Sequence, residues 1–279
     1  MRDPYKIEGP ALISFSGGRS SGYMLRQILN AYKEKLPDNI HVVFTNTGKE
    51  AEQTLDFIHK IEVNWGVAVH WIERAERKGK TTRYREVNYK TASRKGEPFT
   101  QLLLHKSGLL PNPVTRFCTV DLKIKPAYQF MTDQGYDEWA RVLGLRHDEP
   151  HRVHRSKAQL APRERECLCP MHDAKAGVKT VMAFWRRNDF DLDLKQWEGN
   201  CDLCFLKAVP KIVAILQDDP SKADWWIEEE RQSGLRKCLG TFRKDLPVAK
   251  LLEIAQKQSE GFFPRDRFDV DTIDCGCTD

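Results

Sequence analysis

Four short apolar runs, separated by patterns of helical period, constrain this 279-residue chain more than any other feature. Residues 11–15 form the first run, which ends at Ser16-Gly17-Gly18; Tyr23, Met24, Leu25, Ile28 and Leu29 then recur at helical spacing. Val42-Val43-Phe44 is the second, ended by Asn46 and Gly48 and followed by Leu55, Ile58, Ile61 and Trp65 on one stripe. Residues 67–72 read as a third strand and residues 140–145 as a fourth. Strands that alternate with helices predict an α/β fold, an open parallel sheet with helices on both faces. Ligands of such sheets bind outside the carboxyl ends of the strands. From Val178 the pattern turns helical: Val181, Phe184 and Trp185 share a stripe, as do Ile212, Ile215 and Leu216 after Pro210, and Trp225-Trp226-Ile227 open a third helix after Pro220. No Gly/Ser linker or repeat interrupts the chain. The expected organisation is an α/β part over residues 1–175, a helical part over 176–260 that closes over the sheet edge, and a cysteine-containing tail over 261–279.

At this length about three quarters of the unfolded surface can be buried, so a core forms without staples. No apolar run approaches the ~18 residues of a membrane helix, and the N-terminus lacks a signal-peptide stretch. A cytoplasmic protein with no membrane partner is expected. Eight cysteines in a reducing compartment point to metal, cluster or thiol chemistry rather than disulfides. The formal charge of +5 by itself implies no nucleic acid.

The segment Ser14-Phe15-Ser16-Gly17-Gly18-Arg19-Ser20-Ser21-Gly22 follows the first strand and opens the first helix. Glycines permit a tight turn, and N–H groups at a helix start make an anion site worth about half a positive charge. Neither G-x-x-x-x-G-K-[ST] nor G-x-G-x-x-G occurs here. After the second strand comes Thr45-Asn46-Thr47-Gly48-Lys49-Glu50, and after the fourth Gly144-Leu145-Arg146-His147-Asp148-Glu149-Pro150-His151-Arg152. The guanidinium groups of Arg146 and Arg152 suit a phosphate or sulfate; the alternative is a solvated charge pair with Asp148 and Glu149.

These motifs resemble the PP-loop adenine-nucleotide superfamily, with its S-G-G-x-D-S signature, and within it the phosphoadenosine phosphosulfate (PAPS) reductase family, including bacterial and phage versions. The resemblance runs over almost the whole chain. It implies nucleotide contacts from Ser14, Ser16, Gly17, Gly18, Arg19, Ser20, Ser21, Thr45, Asn46, Thr47, Gly48, Gly144 and Arg146, with ATP, adenosine phosphosulfate (APS) or PAPS as ligand and Mg²⁺ as an optional companion. Ser20 stands where the signature has Asp. ATP-cleaving members usually keep that Asp, so the resemblance implies nucleotide binding more directly than ATP cleavage.

Cys201-Asp202-Leu203-Cys204 is a C-x-x-C without the second one that would complete a zinc ribbon. In iron–sulfur members of the family a Cys-Cys pair precedes a Lys and a Pro, and a later C-x-x-C completes a 4Fe-4S site. Counted from Lys123 and Pro126, Cys118 matches the first of that pair and Thr119 replaces the second. The resemblance thus implies Cys118, Cys201 and Cys204 as ligands. The fourth position is either open, as in tRNA-thiolating relatives, or filled by Cys167, Cys169, Cys238, Cys275 or Cys277, a cysteine suiting cluster iron better than His172. A buried apolar role for Cys118 and a structural zinc at the C-x-x-C are the plainer alternatives.

The tail Asp274-Cys275-Gly276-Cys277 is similar to the E-C-G segment whose cysteine attacks the sulfate sulfur in sulfonucleotide reductases. Cys275 is the implied nucleophile, with Arg146 and Arg152 in catalysis; Cys277 as the missing cluster ligand and a frayed terminus are the alternatives. The expected activity is sulfonucleotide reduction with a thioredoxin-like reductant. The alternatives are ATP-dependent thiolation of tRNA or DNA through a three-cysteine cluster, with a cysteine desulfurase as partner, and a non-catalytic nucleotide- or zinc-binding protein. Residues 74–95 carry nine Lys or Arg against two Glu, and residues 141–165 seven against three acids. The first stretch reads as a solvated surface loop, with Tyr84 and Tyr89 available for stacking on a nucleic acid. The C-x-C at Cys167 and Cys169 reads as a loop.

Overall fold

In a computed structural model, residues 3–78, 81–236, 240–244 and 246–257 are described. Six strands form one sheet in the order β4-β3-β2-β1-β5-β6: β1 (Ala11–Ser14), β2 (Ile40–Asn46), β3 (His70–Lys78), β4 (Thr81–Val87), β5 (Trp139–Leu143) and β6 (Glu164–Leu168). All neighbours pair parallel except β3 and β4. The parallel α/β expectation therefore holds with one antiparallel edge.

Two strands lie where the sequence reads as loop. The basic stretch 74–95 supplies the second half of β3 and all of β4, and Cys167 lies in β6. Both are edge strands, where pairing on one side only makes charged residues compatible with a strand and blocks further pairing.

Strand alternation explains how each face is covered. Ala11, Ile13, Val42, Phe44, Ala140 and Val142 point to one face, against α1 (Arg19–Ala31), α2 (Glu52–Trp65) and α7 (Val178–Trp185), through Met24, Leu25, Ile28, Leu55, Ile58, Ile61, Val181 and Trp185. Leu12, Val43, Ile72 and Trp139 point to the other, against Ala127, Phe130 and Met131 of α4 (Lys125–Asp133). Each fully buried aliphatic or aromatic side chain is worth roughly 1.5–3 kcal/mol, so both faces are anchored. On this second face, α5 (Pro150–Ala158) covers the β5–β6 end.

A separate apolar cluster joins α3 (Glu97–His105) to the C-terminal helices α8 (Val209–Asp218), α9 (Asp224–Leu235) and α10 (Val248–Lys257), with Phe99, Leu102, Leu122, Phe205, Ile212, Trp226 and Leu251 buried in it. The short helix α6 (Pro170–Asp173) follows β6. Among the described residues no helix is long and apolar enough to cross a membrane. The chain runs outward from β1 through β2, β3 and β4, then returns to β5 on β1's other side. That reversal makes the carboxyl ends of β1 and β5 the crevice where open α/β sheets bind ligands.

Candidate functional site: two chambers with a common wall

The turn after β1 depends on glycine. Gly17 has φ +72°, and a Cβ there would lie 2.7 Å from Ile58 Cδ1 and 2.8 Å from Thr54 Cγ2. Gly18 caps α1, and Ser21 folds back on it, accepting from the Gly18 N–H at 3.1 Å and donating to its carbonyl at 2.9 Å. Ser16 Oγ donates to Ser21 Oγ at 3.1 Å. Arg19 points away from the turn and ties α1 to the chain beyond α7, its Nε and NH2 donating to Asp191 at 2.8 and 2.9 Å. At the crevice, Gly144 permits β5 to approach α1 closely, since a Cβ there would meet Ser21 Cα at 3.1 Å.

Arg146 reaches the same turn, with NH1 donating to Ser20 Oγ at 3.3 Å and Nε to Asp148 at 2.9 Å. Arg152 donates to Glu149, which also accepts from the Arg146 N–H at 3.1 Å. Burial opposes ionisation of Asp148, but the Val178 N–H and the Arg146 guanidinium hold its carboxyl below the usual carboxylate range. Both arginines are thus paired with carboxylates, and Arg146 also contacts the turn through Ser20.

Below the turn lies a cleft of about 570 Å³ lined by Ser14, Ser16, Thr45, Arg141 and Tyr128, with Leu12, Val43 and Leu143 as its apolar floor. Its roof is a π-helical segment, Thr119–Ile124, that runs directly into α4 at Lys125. Such wide turns recur at functional sites. Thr119 and Lys123 line this cleft and also a second chamber of about 420 Å³, whose wall holds Cys118, Cys201, Cys204, Thr47, Phe99, Phe205 and Trp226. The three cysteines named from sequence therefore meet in one apolar chamber. Among the described residues, no group of three or more His, Cys, Asp or Glu stands in a metal-holding arrangement. Three thiols facing one apolar chamber are nonetheless the donor type that an iron–sulfur cluster takes.

The loop after β2 serves both chambers. Thr45 faces the cleft and Thr47 the cysteine chamber. Thr47 donates its N–H and Oγ1 to Glu50 Oε2 at 2.8 and 2.9 Å, and Lys123 Nζ lies 3.5 Å from Glu50 Oε1. Asn46 turns away into a buried network: it donates to Glu73 at 2.6 Å and accepts from the Gly48 N–H at 3.1 Å. Glu73 in turn accepts from Ser93 and from Arg85 of β4. The basic hairpin is thereby braced against this loop.

Two residues that the sequence does not single out complete the site. Asn200 is buried; its side-chain amide donates to Ser16 O at 2.7 Å, and its backbone carbonyl accepts the Ala51 N–H at 2.7 Å. The next residue, Cys201, bridges to Glu50, and the Asp202 N–H donates to Lys49 O at 2.9 Å. The C-x-x-C loop is thus stitched to both nucleotide-loop candidates. Lys123 is the other, visible in sequence only as a motif marker. Cys167 and Cys169 do not join the cysteine chamber: β6 lies three strand spacings from β2, about 14 Å. Cys238, Cys275 and Cys277 lie outside the described residues.

The model of the phosphoadenosine phosphosulfate reductase domain matches residues 10–171, more than half of the chain. The chain belongs to this family. As a PAPS reductase-domain protein it is 27% identical over 220 residues to an uncharacterized nin region protein, ORF290, of Escherichia phage lambda, covering 75% of this chain and 70% of that one. It is also 27% identical over 157 residues to an uncharacterized protein of Methanocaldococcus jannaschii, covering 54% of this chain and 27% of the relative. No solved structure matches. The family match spans the turn after β1, the loop after β2, Cys118 and the arginine segment, and ends before the C-x-x-C.

Proposed function

We propose that this chain is an adenine-nucleotide-binding iron–sulfur enzyme of sulfur metabolism that reduces APS or PAPS. The observation that carries the reading is the common wall: Thr119 and Lys123 separate a cleft at the β1–β5 crevice from a chamber containing three cysteines. In this reading the turn at Ser16-Gly17-Gly18 holds phosphate, Ser14 and Thr45 line the nucleoside cleft, and Arg146 and Arg152 exchange carboxylate partners for the sulfate. Guanidinium pairs favour such oxyanions, and exchanging one anion for another avoids stripping the arginines bare.

Cys118, Cys201 and Cys204 would hold a 4Fe-4S cluster, which when bound supplies a redox centre tuned by its surroundings. Lys123, reaching into both chambers, would place a positive charge between cluster and sulfate. The Cys275 thiolate would attack the sulfate sulfur, forming an S–S bond while the nucleotide phosphate leaves. A thioredoxin-like dithiol would then attack the Cys275 sulfur, release sulfite and finish as a disulfide, supplying two electrons. The role of Cys275 rests on the likeness of Asp274-Cys275-Gly276 to the reductase tail.

The test is anaerobic purification, iron and sulfide quantitation, and a sulfite assay with APS or PAPS and reduced thioredoxin. Expected are iron with sulfide and sulfite release abolished by Cys275→Ser. Zinc without iron, or no sulfite from cluster-loaded protein, overturns the proposal. Thr119, standing beside Cys118 where a second cysteine would be, favours a second reading: ATP-dependent sulfur transfer to tRNA or DNA. Pyrophosphate release that depends on added tRNA or DNA would identify it.

A further inference from the structure

His41 and His70 line neither chamber. In the parallel β2–β3 ladder Val43 pairs with His70. His41 stands two residues before Val43, so both imidazoles lie on the face that α4 covers. They sit near the amino ends of their strands; Thr45, which lines the cleft, is about 13 Å farther along β2. His41 Nδ1 is 3.5 Å from His70 Nε2, and the rings meet at 53° with centroids 5.4 Å apart. Phe130 of α4 packs against both rings, at 5.6 and 4.7 Å between centroids. Each imidazole is half-buried, so the pair is walled by an aromatic ring and still reached from solvent.

The far side of the His41 ring is held as well, with Nε2 3.2 Å from Tyr136 Oη. With the His41 proton on Nε2 and donated to Tyr136, Nδ1 turns its lone pair toward His70. A metal-bound imidazole is oriented in this way, its second nitrogen donating to an oxygen. Two contacts could draw the nitrogens together. A ring-to-ring hydrogen bond is one, but 3.5 Å exceeds the roughly 2.7–3.2 Å of a well-formed N–H bond. Two nitrogens on one tetrahedral zinc, with bonds of about 2.0–2.1 Å, stand about 3.3–3.4 Å apart. Neighbours on a square-planar copper or nickel stand only about 2.8–3.0 Å apart, so the spacing favours zinc. Burial lowers both imidazoles below their ordinary range, which keeps them neutral, and the Glu86 carboxylate adds negative charge near His70. Among the described residues no third His, Cys, Asp or Glu stands in a metal-holding group with them.

We propose that His41 and His70 bind one zinc ion between Nδ1 and Nε2, with water in the remaining tetrahedral positions. The ion cross-links β2 to β3 at the sheet edge remote from the crevice. Tyr136 sets the tautomer of His41 and is a positioning residue. The site requires neither nucleotide nor cluster and stands apart from the reaction proposed above.

The test titrates Zn²⁺ into the reduced full chain under anaerobic conditions. Nuclear magnetic resonance follows the imidazole nitrogens of the eight histidines, assigned through the backbone. Zinc held by the chamber thiols leaves the His41 and His70 signals in place, so the two kinds of site read separately. Expected is a joint shift of His41 Nδ1 and His70 Nε2 that saturates below about 0.1 mM free zinc. In His41→Gln the His70 response should need at least about tenfold more zinc. No shift of either nitrogen, movement of one without the other, or saturation only at millimolar zinc overturns the proposal. So does a His70 response unchanged in His41→Gln. The parent titration decides alone if that variant fails to fold.

Discussion

Replacing Asn200 by alanine removes the side chain that ties the turn after β1 to the cysteine loop. Its amide donates to Ser16 O at 2.7 Å from a buried position, whereas the bond from the Ala51 N–H to the Asn200 carbonyl belongs to the backbone and survives. Loss of the donor leaves the Ser16 carbonyl without it, at about 1–3 kcal/mol. The vacated amide volume adds up to ~1 kcal/mol. The expected loss is therefore about 1–4 kcal/mol, and at roughly 2–4 °C per kcal/mol for a chain of this size the thermal midpoint falls by about 2–16 °C. Nucleotide affinity should fall with it, because Ser16 is also in the cleft wall. Calorimetry and a nucleotide titration on the same preparation measure both. Asn200→Asp, equal in size but with an acceptor in place of the donor, should lose at least as much. An alanine variant that melts within about 1 °C of the parent and binds nucleotide equally well refutes the reasoning.

Gly17→Ala combines a left-handed backbone with contacts of 2.7 and 2.8 Å to α2; a loss of about 2–4 kcal/mol and weaker nucleotide binding are expected by chemical denaturation and titration. Asp191→Asn removes one half of a partly exposed, two-pronged pair with Arg19, so about 0.5–1 kcal/mol is lost, and combining it with Arg19→Met should cost less than the two single losses added. His41 and His70 lie 3.5 Å apart over Phe130, and burial holds both below the ordinary imidazole range. The unfolded chain then binds more protons than the folded one, so stability is retained above pH ~6.5 and declines as pH falls below it. Urea midpoints across that range should show the decline, and His70→Gln should reduce it.

The strands flanking the crevice are legible in the sequence because β1, β2 and β5 are buried on both faces and so appear as apolar runs. Strand β4 is not: its Arg83, Arg85 and Glu86 look like a solvated run, and only pairing with β3 and the Arg85 bonds to Glu73 make it a strand. The motif at the turn after β1 reads directly from its glycines and serines, yet Arg19 goes to Asp191, 172 residues away, a partner that no local pattern reveals. Cys118 and the C-x-x-C form a group by motif resemblance, and the chamber brings them together. Asn200 has no such signal, since a lone asparagine gains meaning only from the Ser16 carbonyl opposite it.

The double-sided roof at Thr119 and Lys123 has a consequence for how this protein responds to change. Ser14 belongs to the cleft alone and Phe205 to the cysteine chamber alone, so the effects of altering them should add as those of distant sites do. Nothing done to Thr119 or Lys123 can be private to one chamber. A ligand on one side that shifts either residue alters affinity on the other, and the reverse effect must be equal in size. In the proposed reading, the six residues of the π-helical segment are where the nucleotide and cluster equilibria meet.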